Sequence, residues 1–325
     1  MKICIVGAGA IGSLIGARLA HAGAAEVTAL ARGATLAALQ THGWRLETAA
    51  AQVQAPVQAS ADANALGVHD LVVLAVKGPA IAAAARAMTP LLGPDTIVLP
   101  AVNGVPWWFG HDVPGLSGAP LDSVDPGGHV AGAIAQARVV GCVVHAAASV
   151  LAPGVVRHRM GQGLIIGEPA GGMSTRVQAL GALLRGAGFD VTASTQVRHD
   201  VWYKLWGNLT MNPVSAITGA TIDRVLDDPL VRAFCSAAMD EAAAIGERIG
   251  CPLVQSAADR HAVTRKLGAF KTSMLQDAEA GRPLELDSIV GAVREIGQRV
   301  GVATPHIDAL LGLTRLFGRV HGIYD

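Results

Sequence analysis

Lys204, Asn208 and Asn212 fall at i, i+4 and i+8 of W-Y-K-L-W-G-N-L-T-M-N, residues 202–212. A helix over this stretch would carry all three along one face. Trp202, Leu205, Trp206, Leu209 and Met211 set large apolar side chains around them. An ammonium in such surroundings is costly to desolvate, and its pKa can fall toward neutrality, which suits a proton donor. The competing reading is a lysine that reaches out to water beside two surface asparagines. A second cluster lies in K-T-S-M-L-Q-D followed by A-E-A-G-R-P-L-E-L-D, residues 271–287. Ser273 and Asp277 share a helix face. Gly281 and Pro283 end that helix, and Glu285 opens the next, where the dipole favours an anion. A hydroxyl and a carboxylate at such a junction could grip a carboxylate and a hydroxyl of a small molecule. Capping and ordinary surface polarity would explain the same residues.

The elements that must position these groups begin with Lys2–Val6, K-I-C-I-V, which reads as a buried strand. It runs into Gly7-Ala8-Gly9-Ala10-Ile11-Gly12, a G-x-G-x-x-G that opens a helix ending near His21. The first glycine permits a tight turn, the second lets the backbone approach a pyrophosphate, and the third allows close helix–strand packing. The helix N-terminus then offers free N–H groups and partial positive charge. All six residues are therefore expected on the cofactor. Lys2 with the apolar run behind it also resembles a secretory leader, but Gly7, Gly9, Gly12 and Gly16 interrupt the run and no cleavage region follows.

The second strand, 26–31, ends at Arg32 where an NAD-preferring site would place an acid. An arginine accommodates a 2′-phosphate, so NADP(H) is expected. Strands at 70–76 and 96–102 end at Lys77 and Asn103. Ligands of open α/β sheets sit beyond such strand ends. Lys77 could meet the cofactor or a substrate carboxylate, and Asn103 the carboxamide of the cofactor or a substrate carbonyl. The Gly/Pro-rich stretch 107–133 opens with Trp107-Trp108-Phe109, which suggests either a lid over the substrate or a surface excursion capped by an aromatic cluster. Strand patterns resume at 139–148, 154–159 and 161–167, the last two as an antiparallel hairpin. A helix at 174–187 and a strand at 190–194 follow. Helix patterns alone then cover 198–218, 229–249, 257–279, 285–300 and 304–319. The expected architecture is α/β, with a dinucleotide-binding domain at 1–195 and an all-helical substrate and catalytic domain at 196–325.

The composition excludes several classes of function. Apolar residues make up 51% of 325 and charged residues 15%, with 25 Lys+Arg against 25 Asp+Glu. No basic tract offers a footprint for nucleic acid or an anionic membrane. No uninterrupted apolar segment reaches membrane length. Cys4, Cys142, Cys235 and Cys251 lack metal or redox spacing and suit a cytoplasmic chain, and the 11 histidines show no paired-ligand pattern, so no metal is expected.

Taken together, G-A-G-A-I-G at 7–12, Arg32, Lys77, Asn103-Gly104, K-L-W-G-N-L-T-M-N at 204–212 and S-M-L-Q-D-A-E-A-G-R-P-L-E-L-D at 273–287 give a specific signature. The chain resembles the ketopantoate reductase family (2-dehydropantoate 2-reductases) over nearly its full length. The resemblance implies a Rossmann-type NADP-binding domain followed by the helical domain, NADPH as cofactor, and a role in pantothenate biosynthesis. It implies Lys204 and Glu285 as catalytic residues. It implies Asn103, Asn208, Asn212 and Ser273 at the substrate, and Arg32 and Lys77 at the cofactor. The family pattern has a Thr before its catalytic glutamate and an Asp-Tyr-Ile-Asn-Gly run after it. Here Leu284, Ser288 and Val290 stand instead of the Thr, Tyr and Asn. The expected reaction is reduction of a 2-oxo acid to a 2-hydroxy acid, with Lys204 as proton donor. Reduction of a different 2-oxo acid, or a nucleotide-sensing binding protein without turnover, are the alternatives. The expected partner is a small molecule, with a homodimer as a candidate assembly.

Overall fold

A computed structural model describes residues 1–325 apart from 24 and 117. The strands are β1 (Lys2–Val6), β2 (Glu26–Leu30), β3 (Trp44–Glu47), β4 (Gln52–Ala55), β5 (Gln58–Ser60), β6 (His69–Leu74), β7 (Leu92–Pro100), β8 (Gly141–Ala152), β9 (Val155–Gly167) and β10 (Asp190–Ser194). The α-helices are α1 (Ala10–His21), α2 (Gly33–His42), α3 (Ile81–Ala87), α4 (His129–Ala133), α5 (Thr175–Gly186), α6 (Val197–Thr218), α7 (Ile222–Asp227), α8 (Pro229–Arg248), α9 (Ala257–Arg265), α10 (Ser273–Glu279), α11 (Ala292–Val300) and α12 (Pro305–Val320).

The chain forms two compact units, one of residues 1–102 and 129–200, the other of 103–128 and 201–325. In the first, β1 lies at the centre of a parallel sheet ordered β5-β2-β1-β6-β7. Its continuous apolar run is what a parallel strand covered on both faces requires. A second sheet runs β10-β9-β3-β4, with β8 paired to β9. Helix α1 packs against strands of both sheets. It buries seven of its twelve residues, which explains why its sequence is apolar nearly all round rather than on one stripe. Gly16 makes this packing possible, because a Cβ there would lie 2.7 Å from the ring of the fully buried Trp44.

Two expectations about this unit change. The strands drawn at 154–159 and 161–167 are one continuous β9, and the hairpin is formed by β8 and β9. Gly161, at φ +68°, marks a bulge inside the strand rather than its end. The short strands β3, β4 and β5 and helix α2 lie in a stretch where the sequence suggested no element.

Among the described residues no strand follows β10, and α6 to α12 build the second unit. Segment 103–128 belongs to this helical unit. Trp107, Trp108 and Phe109 are buried, and Phe109 stacks on Trp202 of α6 with centroids 5.9 Å apart. The expected substrate lid is therefore a core contact, because three large aromatic groups gain more by burial than by lying over a site. The end of the segment is clamped by α11, where Glu295 accepts the backbone N–H groups of Asp122 and Ser123 at 2.9 and 2.8 Å. The helix expected over 257–279 is two helices, separated near Gly268 at φ +63°. A π-helical turn, Asp287–Gly291, precedes α11. No helix of the described residues is long and apolar enough to cross a membrane.

Candidate active site

The strand ends of the first unit converge on the glycine turn. The Gly7 N–H donates to Leu30 O of β2 at 3.2 Å, and Ala75 N, just past β6, donates to Val6 O at 2.9 Å. The turn thus lies between the ends of β2 and β6, with Arg32 two residues beyond one and Lys77 two residues beyond Ala75. Gly7 is at φ +95°, and a Cβ on it would lie 2.5 Å from the Val76 side chain. A Cβ on Gly12 would lie 2.0 Å from Gly7 O. These two glycines are required by the turn itself. Gly9 differs, because a Cβ there meets no atom within 4 Å. Gly9 caps α1 without a side-chain hydrogen bond, and no acid occupies the first helical turn. An open space against bare helix N–H groups is the cradle a pyrophosphate requires, so the residues present fit a dinucleotide. Ala8, Ala10 and Ile11 complete its backbone. Arg32 is exposed ahead of α2. It makes no side-chain hydrogen bond or ion pair with the described residues. Lys77 is half-buried ahead of a short 3-10 turn.

In the second unit, α6 carries Lys204 and Asn208, both half-buried, and Asn212, only 4% exposed. Asn103 joins them. The Asn208 amide donates to the Asn103 side-chain oxygen at 3.3 Å. The turn holding Asn103 is pinned from the other side, where Val105 N donates to Ser288 O at 2.8 Å. Ser288 in turn donates to the Glu285 backbone oxygen at 3.4 Å. Asn103 thus ties the Lys204 face of α6 to the residues that follow Glu285. Gly104, at φ +79°, permits the approach, since a Cβ on it would lie 2.5 Å from Ser288 O.

The same α6 face continues to Ser215, whose hydroxyl lies 2.5 Å from that of Thr272. Thr272 caps α10 by accepting Leu275 N at 3.1 Å. Ser273, the first residue of α10, is exposed. Asp277 pairs with Arg282 at 2.9 Å, which closes the turn after α10. Asn212 Nδ2 is buried with no hydrogen-bond partner among the described residues, and such a donor needs one. Leu284, Ser288 and Val290 are all buried. Sequence reasoning did not find the Ser215–Thr272 link. Its signal was the Thr directly before an apolar helical pattern.

Two family models cover most of the chain, Ketopantoate reductase PanE/ApbA over residues 3–171 and Ketopantoate reductase PanE/ApbA C terminal over 196–317. The chain belongs to the ketopantoate reductase family. It is 44% identical over 326 residues to a 2-dehydropantoate 2-reductase of Mesorhizobium japonicum, covering 100% of both chains. A solved structure from Ralstonia solanacearum, assigned to the ketopantoate reductases, matches at 56% identity with a TM-score of 0.96 over 99% of each chain. A PanE/ApbA family ketopantoate reductase from Ralstonia eutropha matches at 30% identity and a TM-score of 0.85, covering 99% of this chain and 100% of that one. Family membership gives the chain its Rossmann-like domain followed by a helical region, and makes it an NADPH-dependent oxidoreductase. Within that chemistry the Lys204 face can donate a proton and offer amide hydrogen bonds to a carbonyl, and the glycine cradle can hold a dinucleotide.

Proposed function

We propose that this protein reduces 2-dehydropantoate to pantoate with NADPH. The observation that carries the reading is the Asn103–Asn208 hydrogen bond, which sets two amides of distant sequence beside the lysine of α6. When bound, NADPH supplies a hydride to the keto carbon. Gly9 and its neighbours hold the pyrophosphate, Arg32 the 2′-phosphate, and Lys77 borders the same cradle. Lys204 gives a proton to the carbonyl oxygen, and its charge stabilises that oxygen as negative charge develops there. Asn208 and Asn103 orient the carbonyl, and Asn212 offers its unpaired donor to the substrate. Ser273 takes part in binding the carboxylate, and Glu285 accepts a hydrogen bond from the substrate hydroxyl. The reading includes a cytoplasmic location, and a homodimer as the assembly that light scattering would test.

The test is turnover of purified protein with NADPH and a panel of 2-oxo acids, followed by the loss of NADPH absorbance and by mass identification of the product. The expected result is the highest kcat/KM on 2-dehydropantoate. A higher kcat/KM on another 2-oxo acid would reassign the substrate, and no turnover on any of them would overturn the reading.

A further inference from the structure

Glu285, assigned to the substrate hydroxyl, stands in a stretch, 282–285, that belongs to no helix or strand. No ladder of backbone bonds fixes it, so its place depends on what holds its neighbours. Those neighbours are held by residues that follow α12. That helix ends in a Schellman turn, in which Gly322, at φ +66°, donates its N–H to Arg319 O at 3.1 Å and Ile323 N donates to Gly318 O at 2.9 Å. The turn folds the chain back along the helix. Ile323, 4% exposed, then accepts the Leu284 N–H on its backbone oxygen at 3.0 Å, one residue before Glu285. The Tyr324 hydroxyl donates to Asp287 Oδ1 at 2.6 Å, two residues after Glu285. Burial, then the bond to Asp287 and its charge, push the Tyr324 pKa up to about 12, so the phenol keeps its proton and remains a donor at neutral pH. Gly318 leaves room for Tyr324 on α12, since a Cβ there would lie 2.6 Å from Tyr324 Cβ.

We propose that Tyr324, together with Ile323, is a positioning residue that holds Glu285 in place for the substrate hydroxyl. This rests on the reductase reading above, in which Glu285 accepts that hydrogen bond. A carboxylate on an unbraced loop loses part of what it gains from a ligand to the ordering of its own backbone. Bonds to Leu284 on one side and Asp287 on the other make that ordering part of the fold.

The test measures by calorimetry the Kd of 2-dehydropantoate, and of the analogue with a methyl in place of its hydroxymethyl group, on protein loaded with NADP+, which has no hydride to give. The wild type is expected to bind the hydroxylated acid more tightly. Tyr324→Phe should lower that preference by about 3- to 10-fold, the scale of one hydrogen bond, with the Kd of the analogue unchanged. Asp287→Ala removes the same bond from its other end and should give the same fall. It also carries the test if Y324F does not fold. Glu285→Ala should abolish the preference, and Y324F added to it should change nothing further. A preference that stays at the wild-type value in Y324F and D287A, a parallel weakening of both ligands, or a further change when Y324F joins E285A would overturn the assignment. A wild type that binds neither ligand, or an E285A variant that keeps the full preference, fails the reductase reading and takes the positioning role with it. That result is distinct from a preference lost in E285A and intact in Y324F.

Discussion

The glycines of one turn divide into two roles, and substitution at Gly9 and Gly12 would tell them apart. Gly9→Val projects into open space, so it should raise the KM for NADPH by about tenfold or more while leaving the thermal midpoint unchanged, since a hydrophobic side chain would fill the cradle. Gly12→Ala drives a methyl into Gly7 O and should cost about 1–3 kcal/mol in urea unfolding. Equal thermal losses in both variants would refute the distinction. At Lys204, substitution by alanine should lower kcat by about 10²-fold or more, the usual scale for a general acid, with NADPH affinity retained in fluorescence titration. Turnover close to wild type in Lys204→Ala would remove that residue from the chemistry. The glycine pattern and the lysine–asparagine spacing were open to inspection because each depends on residues close in sequence. Asn103, 105 residues before Asn208, was legible only as a polar group past a strand end, and its bond to α6 came from tertiary packing.

At the scale of elements, the contact between the Asn103 turn and Ser288 depends on a residue without a side chain. Gly104→Ala is strained at φ +79° and also collides with Ser288, so it should destabilise the protein by about 1–3 kcal/mol and lower kcat through the displaced Asn103. Glu295 is the clamp on the loop at 122–123. Burial works against its charged form, but the Ser123 hydroxyl, the N–H groups of Ser123 and Asp122 and the charge of Arg299 outweigh burial and hold its pKa below the ordinary 4.5. The unfolded chain therefore binds this proton first. The stabilisation is present above pH 4.5 and is lost as pH falls through the lower folded value. Glu295→Gln should flatten that part of a urea-stability profile, and an unaltered acid slope would contradict the clamp. The elements the sequence did not reveal are the small ones. Strand β5, Gln58–Ser60, is short and polar, and only its pairing with β2 makes it a strand. The aromatic triplet misled for the opposite reason, because core and lid use the same side chains.

For the whole molecule, two buried histidines, one in each unit, give a common pH response. His69 lies within hydrogen-bond distance of Thr28 and Gly67 O, at 2.8 Å each, and His261 lies 3.1 Å from Ser236. Burial lowers the pKa of both, with the charges of Arg232 and Arg265 adding to the effect at His261. The unfolded chain takes up these protons near pH 6.5 while the folded chain stays neutral, so stability should decline as pH drops below 6.5 toward the lower folded values. Unfolding of the wild type across that range should show the decline, and His69→Gln with His261→Gln should reduce it. A profile identical in the double variant would assign the decline to other groups.

The second unit takes its residues from two stretches of chain, and this affects how it can be made. Trp107, Trp108 and Phe109 leave the ribosome well before Trp202, against which Phe109 stacks, and earlier still than Ser288, which accepts the Val105 N–H. Throughout that interval a nascent chain can complete most of its first unit while carrying an apolar triplet with nothing to bury it. The delay makes 103–128 the segment most in need of a chaperone during synthesis, and it means that a fragment stopped at residue 200 would expose the triplet and self-associate.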